Sequence, residues 1–291
     1  MRKHSDLLAL CVSQRKVTCA ENDENIKQER MFIEVSGHSA RDIAKTIIRF
    51  HNQYTSCHFN IPNKGVITPE VALGAIGHVC HRESNKKPWC FVVHYALSKN
   101  HGAHAHRALR LFTEFYSRAK HLAKKYDHIR LRILLVSGNH HTALDTVTCL
   151  KALSGKLHSI PIDVVFDPYT KKGVEERQRL ALKVANGAKG IWLQYGTDHA
   201  ELQKTLRFLK TRYGNHELFG SILFPTPQSL SHFRFRPWPG IQLSHAYLSN
   251  LPLARRACAS TLKLYAQYDV RILLETPEAY EDFKTFLKQS H

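Results

Sequence analysis

The sequence lacks a long apolar run: the one nearest its start, residues 7–12, has only six residues. A membrane-spanning helix needs about 20 apolar residues, and a signal peptide needs a clearer apolar region, so neither is predicted. Cysteine is sparse too, since the seven cysteines are scattered, odd in number and never spaced as CxxC. No disulfide framework or structural zinc site is therefore indicated, and reduced thiols in a cytoplasmic protein are expected.

Acidic residues are also few, with 24 Asp and Glu against 42 Lys and Arg, which gives the 291 residues a formal charge of +18. Such a charge predicts an anionic partner, either a nucleic acid or an anionic surface. A basic surface that only keeps the protein dissolved is the alternative. Hydrophobic residues make up 43% of the chain, which is enough for a sizeable core and excludes disorder throughout.

From residue 31 onward, short apolar runs alternate with longer amphipathic stretches. Eight short runs rich in β-branched and aromatic residues predict buried strands: residues 31–35, 56–61, 89–95, 129–136, 162–166, 190–194, 218–224 and 270–274. Helical spacing of apolar residues marks the stretches 40–51, 108–126, 177–186 and 199–212.

Eight strand–helix units in about 260 residues predict an α/β protein with one (β/α)₈ barrel of the TIM type. The barrel is expected to occupy residues 31–291, after a short N-terminal extension of residues 1–30. A doubly wound open sheet is the alternative, but no GxGxxG motif follows any predicted strand.

In such a barrel the chemistry takes place at the carboxyl ends of the strands. Glu34 lies in the otherwise apolar first strand, where burial would suit a carboxyl group to proton transfer near neutral pH. His94 lies in the third strand, and Gln194, whose amide suits the edge of a heterocycle, ends the sixth. A solvent-facing Glu34, a core histidine and a backbone-capping glutamine are the structural alternatives. Other polar candidates at or after strand ends are Asn60, Asn63, Ser137, Gly138, Asn139, Asp167, Tyr169, Asp198 and Thr226.

Five segments, taken in order, resemble methylenetetrahydrofolate reductase, a family of flavin-dependent (β/α)₈ barrels: residues 32–35, 93–94, 135–139, 183–194 and 220–223. The closest stretch is 177–198, where a helix leads into a strand that ends in Gln194, with Asp198 four residues beyond. The similarity covers roughly residues 31–285. The chain resembles a divergent member that consists of the catalytic barrel alone.

The resemblance implies FAD as the cofactor, NAD(P)H as the hydride source and a folate-bound one-carbon unit as the substrate. It assigns proton donation to Glu34, support of a cationic intermediate to Asn139, and binding of the substrate to Gln194 and Asn139. The implied cofactor-binding residues are His94, Gly138, Tyr169, Glu176 and Lys183.

Some positions depart from the family pattern. Asn139 stands where the family has Asp, which removes a negative charge expected to stabilise a cation, and residues 233–240 replace the usual loop after the seventh strand. A catalytically silent barrel that binds ligands or assembles with partners is therefore the alternative to an active reductase. A basic RNA-associating protein is a third hypothesis, and a homo-oligomer also stays open.

Two further patterns carry less weight. His101, His104 and His106 lack the spacing of a metal site, so no metal is predicted. The basic stretch 107–125 is the best candidate for nucleic-acid binding, but its aromatic residues are spaced for packing on the barrel and not for stacking on bases.

Overall fold

The computed structural model describes residues 31–54, 58–83, 88–100, 104–137, 144–236, 238 and 240–289. The N-terminal extension lies outside the described residues, and so do Gly138 and Asn139. The roles that the family resemblance gives to these two positions stay predictions.

Eight parallel strands close into a barrel in chain order, which confirms the predicted (β/α)₈ fold. The strands are β1 (Met31–Glu34), β2 (His58–Ile61), β3 (Trp89–Ala96), β4 (Ile129–Val136), β5 (Ile162–Phe166), β6 (Gly190–Leu193), β7 (Glu217–Ile222) and β8 (Val270–Leu274). Each overlaps one predicted run. β8 pairs with β1, which closes the barrel and leaves no free sheet edge among these strands.

Helices follow the strands and pack on the outside of the barrel. They are α1 (Ala40–Tyr54), α2 (Pro69–Arg82), α3 (Leu97–Asn100), α4 (Ala105–Lys125), α5 (Thr146–Ala152), α6 (Gly173–Ala185), α7 (His199–Tyr213), α8 (Pro227–Phe235), α9 (His245–Ser249), α10 (Leu251–Gln267) and α11 (Tyr280–Gln289). None of the helices in the described ranges is long and apolar enough to cross a membrane. The four cysteines within these ranges are buried free thiols.

Alternation along the strands divides the apolar residues between two layers. Residues such as Ile33 point outward into the core under the helices, whereas their neighbours point into the barrel. The inner layer is built around Phe32, Trp192 and Phe219, and the last two rings stack 4.3 Å apart. This apolar layer fills the middle of the barrel and separates its amino-terminal end from its carboxyl-terminal mouth.

A buried ion network lies below this layer, among residues near the amino ends of the strands. Arg132 donates two hydrogen bonds to Asp163, of 2.7 and 2.8 Å, and also contacts Glu217. The indole of Trp192 donates a further hydrogen bond to Asp163, at 3.0 Å. Burial opposes the charge of Arg132, but the hydrogen bonds and charges of the two carboxylates outweigh it and raise the pKa of the guanidinium.

Gly190 makes room for this network. A Cβ at this position would lie only 2.5 Å from a carboxylate oxygen of Asp163 and 2.9 Å from Arg132. Any larger residue at the start of β6 would therefore push the ion pair apart.

Replacing Arg132 with methionine is expected to lower the free energy of unfolding by about 3–5 kcal/mol, because it leaves the fully buried carboxylate of Asp163 uncompensated. Urea denaturation monitored by circular dichroism would measure the loss. Arg130→Met is the matched control, since Arg130 lies on the same strand with its side chain in solvent, and it should change stability by less than about 0.5 kcal/mol. Equal losses in the two variants would contradict a structural role for the network.

Candidate functional site

The candidate site is the mouth of the barrel, at the carboxyl ends of the strands. Phe32 faces the inner layer, so Glu34, two residues further along β1, points to the same side above it. Asn60 pairs in register with Glu34 on one side and with Val92 of the inner layer on the other. His94 follows Val92 by two residues on β3. The topology therefore gathers Glu34, Asn60 and His94 on adjacent strands.

The carboxyl group of Glu34 is largely enclosed, with 13% of its side chain exposed. Its pKa is raised to about 8, first by burial and then by the neighbouring carboxyl of Glu275, while Lys64 opposes the rise. The ammonium of Lys64 lies 3.8 Å from a Glu34 oxygen. Glu34 is therefore mostly a neutral carboxylic acid at pH 7, the state that a proton donor requires.

Glu275 was not among the residues selected from the sequence. It comes directly after β8, and its backbone N–H bonds the carbonyl of Ile222 at 3.0 Å, which extends the ladder between β7 and β8. Burial raises the pKa of its carboxyl group, whereas a hydrogen bond with Ser221 and the charge of Lys64 oppose the rise. Because Glu275 lies just past the end of a predicted strand, the criterion used for the other candidates could have selected it.

Asn60 and His94 present polar atoms that have no partner among the described residues. Asn60 is 0% exposed, yet neither its amide oxygen nor its amide nitrogen forms a hydrogen bond. The Nε2 atom of His94 is likewise buried and unbonded, and burial, aided by the charge of Lys64, lowers the pKa of the imidazole to about 4. Six other described residues also have buried polar atoms without a partner, but Asn60 and His94 lie together beside Glu34, which makes the mouth the candidate ligand site.

Gln194 lies on the other side of the mouth, just past the end of β6. Its backbone N–H bonds Phe166 at 3.0 Å, and its amide nitrogen lies against Gly240, where a Cβ would come within 2.7 Å. Gly240 has a φ of 84°, a conformation that favours glycine. The close approach fixes the loop after α8 over the Gln194 amide.

That same loop reaches the acidic side of the mouth through Trp238. The ammonium of Lys64 lies 4.4 Å from the centre of the Trp238 ring, a cation–π contact, while it also pairs with Glu34. The indole N–H of Trp238 bonds Nε2 of His232 at 3.1 Å. Lys64 thus links the loop after β2 to the loop that covers the mouth.

Three of the residues expected to hold the flavin, Tyr169, Glu176 and Lys183, form contacts within the protein. The hydroxyl of Tyr169 donates to the carbonyl of Gly196 at 3.1 Å, and its ring packs on that glycine. The ammonium of Lys183, in a residue only 6% exposed, donates to the carbonyl of Val165 at 2.8 Å and lies 3.5 Å from Glu176. Burial lowers the pKa of this ammonium, and the charge of Glu176 opposes the fall.

These contacts use two of the three N–H donors of the Lys183 ammonium and neutralise its charge with Glu176. The Lys183–Glu176 pair lies on α6 against β5, with little of the ammonium open to solvent. The residues present therefore do not fit the phosphate end of FAD in this arrangement, and their role in cofactor binding stays a prediction.

Two other features give no site within the described ranges. No group of three or more His, Cys, Asp or Glu residues there could hold a metal ion. On α4 the basic side chains are exposed, while Phe112, Phe115 and Tyr116 are buried in the core, as their spacing predicts.

A cavity of about 660 Å³ lies beside the mouth, between the amino-terminal ends of α6 and α7. Charged residues of both signs line it, among them Lys172, Arg177 and Glu201. None of its lining residues carries a buried polar atom without a partner, which distinguishes it from the mouth.

No family model and no curated protein matches this chain. Among solved structures, it is similar to the dihydropteroate synthase of Xanthomonas albilineans in complex with indole-2-carboxylic acid and 6-chloroguanine. The identity is 12%, the match covers 89% of this chain and 92% of that one, and the TM-score is 0.47. A likeness of this size concerns the path of the chain, and the barrel assignment rests on the strand pairing described above.

Replacing Asn60 with leucine is expected to raise the free energy of unfolding by about 1–3 kcal/mol, because it removes two buried polar atoms that have no partner among the described residues. Asn63→Leu is the matched control. The Asn63 amide donates to Ile67 at 2.7 Å and accepts from Ala96 at 3.2 Å, so its loss should destabilise the protein. Thermal unfolding would compare the two, and a destabilised Asn60→Leu would show that Asn60 has structural partners after all.

Proposed function

We propose that the mouth of the barrel binds a folate-like heterocycle and that Glu34 supplies the proton for a reaction on it. The observation that carries the proposal is the enclosed carboxyl of Glu34 next to the unpartnered polar atoms of Asn60 and His94. A pterin ring presents alternating hydrogen-bond donors and acceptors along its edge. An amide such as Asn60 offers one of each and matches such an edge.

The chemistry of Glu34 follows from its surroundings. A carboxyl group with a pKa of about 8 is protonated at pH 7 and can donate to a basic ring nitrogen. His94 is neutral at this pH, so it binds as a hydrogen-bonding group and adds no positive charge. Gln194, on the opposite side of the mouth, offers a second amide to the ring.

The finer proposal is a reductase of the methylenetetrahydrofolate reductase type, in which the hydride comes from NAD(P)H through FAD. Its support is the family resemblance, together with the unbonded imidazole of His94 beside Glu34. The bonded ammonium of Lys183 argues against a flavin diphosphate in the present arrangement. Proton donation by Glu34 is therefore the step that the side chains of the mouth support.

A second candidate is a barrel that binds the same class of ligand without redox chemistry. The contacts of Lys183 favour it, because they leave the phosphates of FAD without the expected cation. Incubation with FAD followed by desalting separates the two candidates. Retained flavin absorption that bleaches with NAD(P)H would support the reductase, whereas colourless protein that still binds folate would support the binding barrel.

The affinity for 5-methyltetrahydrofolate is expected to fall about tenfold between pH 7 and about pH 9. The sign follows from Glu34, which holds its proton below its pKa of about 8 and loses the ability to donate above it. Glu34→Gln should bind with little dependence on pH, since an amide donates throughout this range. Isothermal titration calorimetry at several pH values measures both.

Glu114→Gln serves as the control, because Glu114 is exposed on α4 and should leave the pH dependence as in the wild type. Absence of measurable folate binding at any pH would refute the proposed ligand. Binding by Glu34→Gln with the pH dependence of the wild type would instead refute the role of Glu34.

A further inference from the structure

Two carboxyl groups stand side by side at the mouth, that of Glu34 at the end of β1 and that of Glu275 directly after β8. Phe32 pairs in register with Leu273, and Ile33 pairs with Leu274. Glu34 and Glu275 each follow by one residue, so they stand at the same level of two neighbouring strands. Neighbouring strands are about 4.8 Å apart, so the two side chains start at contact distance from each other.

Both side chains point to the inside of the barrel. Phe32 and Leu273 belong to the inner apolar layer, and side chains two residues apart on a strand share a side. The two carboxyl groups contact solvent only at the rim of the barrel, and the apolar layer of aromatic rings lies beneath them. Two carboxylates this close in a poorly hydrated place cannot both ionise at neutral pH without a large cost.

Few other charges among the described residues face the pair. Lys64, from the loop after β2, lies 3.8 Å from a Glu34 oxygen and acts on both carboxyls. His94, from β3, is neutral at pH 7, and Glu278, from the turn after β8, adds a weaker negative charge from an exposed position. Ser221, from β7, hydrogen-bonds to Glu275. One ammonium therefore faces two carboxyl groups.

We propose that Glu34 and Glu275 share one proton, and that Glu275 is a positioning residue that keeps the proton on Glu34 ready for transfer. The Ser221 hydroxyl stabilises the carboxylate form of Glu275, which leaves the proton to Glu34. Lys64 balances the single negative charge that remains. The role in transfer rests on the proposed function, whereas the shared proton depends only on the ligand-free barrel.

The test is a pH titration of the glutamate side-chain carboxyl carbons by NMR, in the ligand-free full chain, with Glu34 assigned through Glu34→Gln. In the wild type the pair should titrate in two steps, with the upper step near pH 8. Glu275→Gln should remove one step and lower the proton affinity of Glu34 on the order of tenfold, because it removes a like charge from the neighbouring strand. Lys64→Met should raise that proton affinity.

Two further variants serve as controls for this titration. Glu275→Asp keeps the charge and should restore most of the wild-type titration. Glu278→Gln removes a carboxylate from the exposed turn, and it should change the proton affinity of the upper step by less than about threefold. An unchanged Glu34 titration in a folded Glu275→Gln protein, with the melting temperature of the wild type, would overturn the shared proton. If Glu275→Gln fails to fold, a single-step titration of Glu34 in the wild type, or an unchanged Glu34 titration in Lys64→Met, would overturn it equally.

The outcome is separable from that of the proposed function. A coupled titration in protein that binds no folate would keep the shared proton and refute the proposed ligand. Folate binding whose pH dependence is the same in Glu275→Gln as in the wild type would keep Glu34 as the donor and refute the role of Glu275.

Discussion

The buried pair of Arg132 and Asp163 is the constraint on which the rest of the barrel depends. Arg132 enters the barrel from β4 and Asp163 from β5, and their hydrogen bonds, together with those to Glu217 and Trp192, fill the amino-terminal end. Because the guanidinium faces two carboxylates that it bonds directly, charged groups can stay inside the barrel there. The Trp192 ring that bonds Asp163 also stacks on Phe219, so the network fixes the apolar layer above it. That layer is the floor of the mouth.

The ion network around Arg132 and the side chains at the mouth differ in whether their polar groups have partners. The polar side chains of the Arg132 network bond one another, which stabilises the fold. Other side chains near the amino ends of strands do not, since ring nitrogens of Trp89, His128 and His216 are also buried without a partner among the described residues. At the mouth, Asn60 and His94 keep buried polar atoms without partners among the described residues, and Glu34 holds a proton that an exposed carboxyl group would lose. An unsatisfied buried amide costs stability in the free protein. What distinguishes the mouth is that two residues with unpartnered polar atoms lie there together with the carboxyl of Glu34.

The strands could be predicted from the sequence because each is a short run of β-branched and aromatic residues between turn-forming residues, and their order fixed the barrel. The period of two then placed Glu34, His94 and Gln194 at the mouth. Glu275 could not be predicted as the neighbour of Glu34, because β8 meets β1 only when the barrel closes. Residues so far apart in sequence show no shared pattern. Arg132 and Asp163 lie 31 residues apart on two consecutive strands, and a pairing between their side chains leaves no local pattern in the sequence. The role of Lys183 was inferred by counting residues back from Gln194. Such counting gives no information on side-chain contacts, so it could not predict that the ammonium bonds the carbonyl of Val165.

Within the described residues the charge of +18 can be located in part, and it does not concentrate beside Glu34. Three groups face Glu34: the ammonium of Lys64, the neutral imidazole of His94 and the carboxyl of Glu275. The exposed basic residues of α4 lie on the outer surface of the protein, on the side of the helix that faces away from the core. Screening limits their reach to about 8–10 Å at physiological ionic strength, so they cannot set the local selectivity of the mouth. A nearly neutral mouth with unpartnered amide and imidazole groups favours an uncharged ring over a phosphate.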